Sequence, residues 1–139
     1  FRSSLGTSVV YNWKITNGSS SFYEIQDCMK EFREVRPYFY EDYYPLTGSG
    51  DITGDNIWMA YQLYRPSDKS GFVVAFRREA CPDKTHTVKL SGLDPDAVYS
   101  VTNKDTGETV SKSGRELAEG FVLTLDQPRS SLLLKYQAE

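Results

Sequence analysis

From Trp58 to Tyr136 the sequence breaks into short apolar stretches, each closed by a cluster of turn-forming residues. That rhythm favours paired strands, because a helix needs a longer run of apolar residues, three to four apart, to bury one face. The stretches are Trp58 to Tyr64, Phe72 to Arg78, Thr87 to Leu90, Val98 to Asn103, Glu108 to Ser113, Phe121 to Leu125 and Leu132 to Tyr136. Between them stand Arg65 to Gly71, Ser91 to Asp96, Asp105-Thr106-Gly107 and Asp126 to Ser130, rich in Gly, Pro, Asp and Ser. These residues turn a chain, and Asp105-Thr106-Gly107 suits a hairpin. Phe72-Val73-Val74-Ala75-Phe76 is apolar on both sides, as a strand in the middle of a sheet would be. Ser113 and Glu116 have capping-box spacing, which fits a single short turn closed by Gly120. Strands this short, with no helix between them, are expected to pair antiparallel in two packed sheets, an all-β sandwich.

One helix is expected ahead of them. Ser21 and Glu24 make a capping box, and Phe22, Ile25, Met29 and Phe32 follow at helical spacing, with charged residues on the other side. Pro37 should push Arg36 out of helical geometry and end the helix by about residue 35. Burying that stripe is worth roughly 6 to 12 kcal/mol, so the helix needs a partner surface. Upstream, Val9, Tyr11, Trp13 and Ile15 share one side of an extended stretch that Thr16 to Ser20 breaks.

Helix and strands are joined by the aromatic run Arg36-Pro37-Tyr38-Phe39-Tyr40-Glu41-Asp42-Tyr43-Tyr44-Pro45-Leu46-Thr47. So many rings are rarely left in water, and each Tyr hydroxyl also needs a partner. The run is read either as a packing seam between two units or as a platform on which sugar rings stack. The candidate platform residues are Tyr38, Tyr40, Tyr43, Trp58 and Tyr61, of which Tyr40, Tyr43, Trp58 and Tyr61 are taken as candidate substrate-binding positions. A seam predicts packed rings, whereas a platform predicts coplanar rings open to solvent.

Composition narrows the chemistry. The balance of 16 basic and 19 acidic residues, net charge -3, shows no basic face, so a nucleic-acid partner is not expected. No stretch is apolar for long enough to span a bilayer, and no membrane partner is expected. The chain starts at Phe1 without an initiator Met and reads as cut from something longer. Cys28 and Cys81 make neither a staple nor a metal-ligand pattern, and with the single His86 they offer no zinc set, so no metal or cofactor is expected. Cytoplasmic, periplasmic and secreted locations are not distinguished. Asn17-Gly18-Ser19 matches a glycosylation triplet that matters only in a eukaryotic secretory chain.

His86 beside Cys81 lacks the arrangement that a nucleophile and its base require, and an ordinary exposed imidazole is expected. The Gly48 to Gly54 loop matches no phosphate cradle, and Asp51 and Asp55 lack the remaining ligands of a calcium loop. Glu41 and Asp42 are the only carboxylates in the aromatic run, but neighbours on an extended chain point apart and are poorly placed to flank one glycosidic bond, so solvated or Arg-paired carboxylates are expected. No residue is assigned a catalytic role.

The run from Arg36 to Thr47 is followed by Trp58-Met59-Ala60-Tyr61-Gln62, Gly71 to Arg78, Leu90-Ser91-Gly92-Leu93-Asp94-Pro95-Asp96-Ala97-Val98-Tyr99, Ser113-Gly114-Arg115-Glu116-Leu117 and Pro128-Arg129-Ser130-Ser131-Leu132. In that order, these phrases resemble the C-terminal end of bacterial melibiase-type α-galactosidases. The resemblance implies a retaining glycosidase whose (β/α)8 barrel carries two catalytic aspartates and is followed by a C-terminal antiparallel β-sandwich. Residues 1–46 would then be the last strand and helix of the barrel with the aromatic connector, and 47–139 the C-terminal sandwich. The catalytic aspartates would lie upstream of Phe1, leaving a fragment inactive by itself. Its expected partner is the parent barrel, with carbohydrate as the alternative.

Overall fold

The computed structural model describes residues 1–9, 20–48 and 53–139, with side chains undescribed at 20–22. The expected strand around Tyr11, Trp13 and Ile15, the glycosylation triplet, the side chains of Ser21 and Phe22, and Asp51 lie outside the described residues.

Among the described residues eight strands form two antiparallel sheets. They are β1 (Asp42–Pro45), β2 (Trp58–Arg65), β3 (Ser70–Arg77), β4 (Thr85–Val88), β5 (Val98–Asn103), β6 (Thr109–Ser113), β7 (Phe121–Thr124) and β8 (Ser130–Ala138). The main sheet has the order β1-β2-β3-β8-β5-β6, and β4-β7 makes a small second sheet. All seven expected strands are present, and the architecture is the expected sandwich. β1 is additional: the second half of the aromatic run pairs with β2, Tyr43 opposite Leu63 and Pro45 opposite Tyr61. The main sheet therefore begins at Asp42, ahead of the expected boundary at residue 47.

Each face of the main sheet has its own core. On the inner face Trp58, Ala60, Tyr64, Val73, Ala75 and Tyr136 pack toward the small sheet. On the outer face Leu63, Phe72, Val74 and Leu133 pack with Val35 and Tyr38. β3 is consequently covered on both sides, the outcome its unbroken apolar run predicts.

α1 (Ser20–Val35) supplies part of the outer layer. Ile25, Phe32 and Val35 are buried as helical spacing requires. Ionic contacts fasten its flank: Glu34 meets Lys104 and Lys135, each at 3.0 Å, and Glu31 meets Arg2 at 2.7 Å. Arg2 reaches on to Asp105 at 2.6 Å, joining the start of the chain to the β5–β6 turn. α1 ends at Val35, as expected, but Pro37 does not push Arg36 out of helical geometry. α1 passes directly into a 3-10 helix, Arg36–Tyr40, with Val35 still in right-handed helical geometry. Proline is tolerated there because the first turn of a new helix leaves its amides unpaired in any case.

The short turn expected after Ser113 is a helix, α2 (Gly114–Glu119), and its capping box is complete. Ser113 Oγ accepts from the Glu116 amide at 3.2 Å, and the Glu116 carboxylate accepts from the Ser113 amide at 2.8 Å. These bonds and Lys112 hold the exposed Glu116 carboxyl at about 2, well below the usual range. Gly114 is required by close approach, since a Cβ there would lie 2.0 Å from the Asp94 carbonyl oxygen.

Candidate functional site

The aromatic run curls over one corner of the outer face. Its first ring, Tyr38, is 6% exposed and meets Phe72 edge-on at 4.9 Å. The Arg65 guanidinium lies 4.3 Å above the Tyr38 ring and donates from Nη2 to the phenol oxygen at 2.8 Å. Ser70 Oγ donates to Asp68 at 2.6 Å, which leaves the Tyr38 hydroxyl to donate to Ser70 Oγ at 2.8 Å. A directed relay from Arg65 through Tyr38 and Ser70 to Asp68 therefore pins the 3-10 helix to the β2–β3 turn.

The next rings are more open. Phe39 is half-buried and tilts against Tyr61 at 6.2 Å, while Tyr40 is 67% exposed. Tyr43, 57% exposed, stacks on Tyr61 with centroids 5.5 Å apart and planes 28° apart. The register explains the stack: Tyr43 and Tyr61 sit diagonally across β1 and β2 on the same face. Burial is the main cause of a raised Tyr61 phenol, with Tyr43 adding to it. Met59 is exposed and Phe76 half-buried, and the ladders place both on this face.

Of the four candidate residues, then, Tyr43 and Tyr61 are brought together and Tyr40 is open on the adjoining helix. Trp58 is not part of the group. Three residues from Tyr61 on one strand, it faces inward and is 4% exposed. Its indole donates to the Asp83 carbonyl at 2.9 Å and stacks with His86 at 5.8 Å. His86, expected to be exposed, is thus half-covered by a ring. A platform made of Trp58 with the tyrosines is not what the geometry offers. It offers one stacked pair whose outer ring is open.

Glu41 and Asp42 are both exposed, and Asp42 accepts from the Tyr44 hydroxyl at 3.3 Å. Among the described residues no three His, Cys, Asp or Glu side chains converge as a metal-binding group.

Two buried polar groups were not legible as such in the sequence. Gln62 is fully buried beneath the inner core, donating to Tyr136 Oη and the Ser91 carbonyl, both at 2.9 Å, and accepting from the Ser91 amide at 2.8 Å. The Tyr136 hydroxyl donates in turn to the Leu63 carbonyl at 2.8 Å, and burial raises this phenol. Gly71 makes that approach available, because a Cβ there would fall 2.2 Å from the hydroxyl. Arg77, 7% exposed, makes five hydrogen bonds to the carbonyls of Cys81, Pro82, Leu125 and Asp126. The only forewarning was position: Gln62 lies between Ala60 and Tyr64 on the inward side of β2, and Arg77 follows the apolar run of β3.

No family model matches this sequence, and no curated protein matches it. Solved structures do match the fold. The galactosidase domain of the alpha-galactosidase–sucrose kinase AgaSK aligns with TM-score 0.66 and 21% identity, over 87% of this chain and 16% of that one. The GH36 α-galactosidase AgaA from Geobacillus stearothermophilus, solved with 1-deoxygalactonojirimycin, gives TM-score 0.67 and 18% identity, over 91% and 17%. The α-galactosidase from Lactobacillus brevis gives 0.71 and 16%, over 93% and 18%. At such identities the likeness is one of fold, and the chain spans less than a fifth of the length of these structures.

Proposed function

We propose that this chain is the C-terminal β-sandwich of a glycoside hydrolase acting on terminal α-linked galactose, carried together with the last strand and helix of its (β/α)8 barrel. On this reading the parent is a retaining enzyme, and its paired catalytic carboxylates stand on barrel strands upstream of Phe1. The fragment performs no hydrolysis. It buttresses the barrel and holds the end of the chain in place.

The observation that carries the reading is the outer face of the main sheet. α1 and the 3-10 helix are bound there by a dedicated core and by ionic contacts at Glu31 and Glu34. Tyr40 at the end of the 3-10 helix, and Tyr43 and Met59 on the strands beside it, remain exposed. An exposed margin beside a packed seam is what a domain leaves when its neighbour is missing. The fold likeness to α-galactosidase chains supports the same neighbour.

The test has two parts. The purified chain, assayed with a chromogenic α-galactoside, should show no turnover, and its full reading frame should contain an upstream barrel with paired aspartates. Turnover lost on Asp42→Asn, or a reading frame without a barrel, would overturn the assignment.

The open ring of Tyr43 favours one further reading, a sugar-stacking site on the Tyr43–Tyr61 pair. Saturable galactose binding at millimolar concentration, with amide shifts at Tyr43 and Tyr61, would select it over a purely structural margin.

A further inference from the structure

The two sheets are unequal, and the small one stops at β7 while the main sheet continues beneath it through β5 and β6. A trough of about 200 Å³ results, with Val101, Val110, Leu132 and Leu134 as its floor and the edge of β7 as its wall. Val110 is 46% exposed on that floor. A second, separate hollow adjoins it at Phe121 and is lined by Lys112, Glu116, Glu119 and Gly120.

The backbone phase of β7 can be read from one bond. The Leu125 amide donates to the Lys84 carbonyl at 2.9 Å, so Leu125, Leu123 and Phe121 direct their main-chain groups at β4. Val122 and Thr124 therefore present their N–H and C=O groups to the open edge, with no strand beyond among the described residues. Phe121 to Thr124 contains no charge and no proline, the usual guards of an edge strand. Glu108 lines one end of the trough and Glu119 the hollow beyond the other; Lys112 in that hollow is paired with Glu116 at 2.9 Å, and neither Glu108 nor Glu119 forms an ion pair among the described residues.

We propose that this trough accepts a single extended segment of another polypeptide, which adds as a third strand beside β7. Its alternate apolar side chains would lie on Val101 and Val110, and basic residues at its ends would meet Glu108 and Glu119. A second copy of this chain is a poor occupant: joined antiparallel through its own β7, it would bring its β5 and β6 into the space already filled by ours. The inference does not rest on the assignment to a glycosidase, because the trough opens on the face opposite α1.

The probe is the synthetic peptide acetyl-Lys-Val-Thr-Val-Thr-Val-Lys-amide, titrated while amide shifts are followed. Saturable shifts are expected at Val122, Thr124, Val101 and Val110, with affinity falling about tenfold when alternate peptide amides are N-methylated or when the terminal Lys residues become Glu. Val122→Pro deletes an edge N–H without touching the β4 ladder, so it should abolish binding while leaving the melting temperature nearly unchanged. If that variant fails to fold, Val110→Glu on the half-open floor serves the same purpose. Absence of shifts, equal binding by the variant that folds, shifts centred on Tyr43 and Tyr61, the same shifts produced by a galacto-oligosaccharide, or concentration-dependent dimerisation through β7 would each overturn the proposal.

Discussion

The hydroxyl of Tyr38 meets Ser70 Oγ at 2.8 Å, tying the helical layer to the main sheet at the β2–β3 turn. Arg65 and Asp68 stand at the two ends of this contact, so the bond belongs to a charged relay and not to an isolated pair. Removing only the phenol oxygen interrupts the relay and leaves the ring against Phe72.

Tyr38→Phe should therefore cost about 1 to 2 kcal/mol, the penalty for a buried hydrogen bond with one charge-assisted partner. Urea unfolding should show a lower midpoint with an unchanged slope. A neutral result would mean that the relay contributes nothing to holding the layer.

Glu34 answers to pH. Burial raises its carboxyl, but the hydrogen bonds from Lys104 and Lys135 more than offset this, and the net shift is downward. A carboxyl lowered on folding adds stability above its unfolded value near 4.3, and that stability is lost as pH falls through the lower folded value. Glu34→Gln should destabilise the chain by about 1 kcal/mol at pH 7, with exposure keeping the figure small. The gap between the two melting curves should close in strong acid, and a gap independent of pH would contradict the assignment.

Arg77→Met should be the most damaging of these changes, at about 3 to 5 kcal/mol, because carbonyls from two loops lose their donor together. Arg77→Lys keeps the charge but not the fork, and should recover only part of the loss. Thermal unfolding of the three proteins measures the order.

Tyr43→Ala and Tyr61→Ala separate margin from core. Tyr43 is largely exposed, so its loss should change stability by less than about 1 kcal/mol. Tyr61 is half-buried among Phe39 and the sheet, and its loss should cost about 2 kcal/mol or more. If galactose binds, Tyr43→Ala should lose that affinity while still folding.

Gly71→Ala should fail by crowding, since the added methyl falls on the Leu63 carbonyl oxygen and the Tyr136 hydroxyl together. The double variant Gly71→Ala, Tyr136→Phe should not recover stability, because the Leu63 carbonyl oxygen at 2.1 Å and the ring carbon at 2.4 Å still stand in the way of the methyl; thermal unfolding measures this.

Much of the architecture was legible because short apolar stretches between turn residues have few other solutions. β1 was not. Asp42-Tyr43-Tyr44-Pro45 has no clear alternation and ends in proline, so its strand character comes from pairing with β2. The site was legible in composition only. Spacing separates Trp58 from Tyr61 by an odd number of residues and so places them on opposite faces, but it does not say which face meets the small sheet. The Tyr43–Tyr61 stack depends on a cross-strand register set by tertiary contacts. Gln62 and Arg77 carry no signal of their burial, because a sequence shows their polarity and not the carbonyls waiting for them.

Arg77 has a wider consequence. Cys81 and Pro82 precede β4, and Leu125 and Asp126 follow β7, so one side chain fastens both ends of a long excursion of the chain. It closes that loop as a cross-link would, without a covalent bond. Amides of β4 and β7 should then exchange with solvent in one concerted opening, as a single unit that is released when the guanidinium lets go.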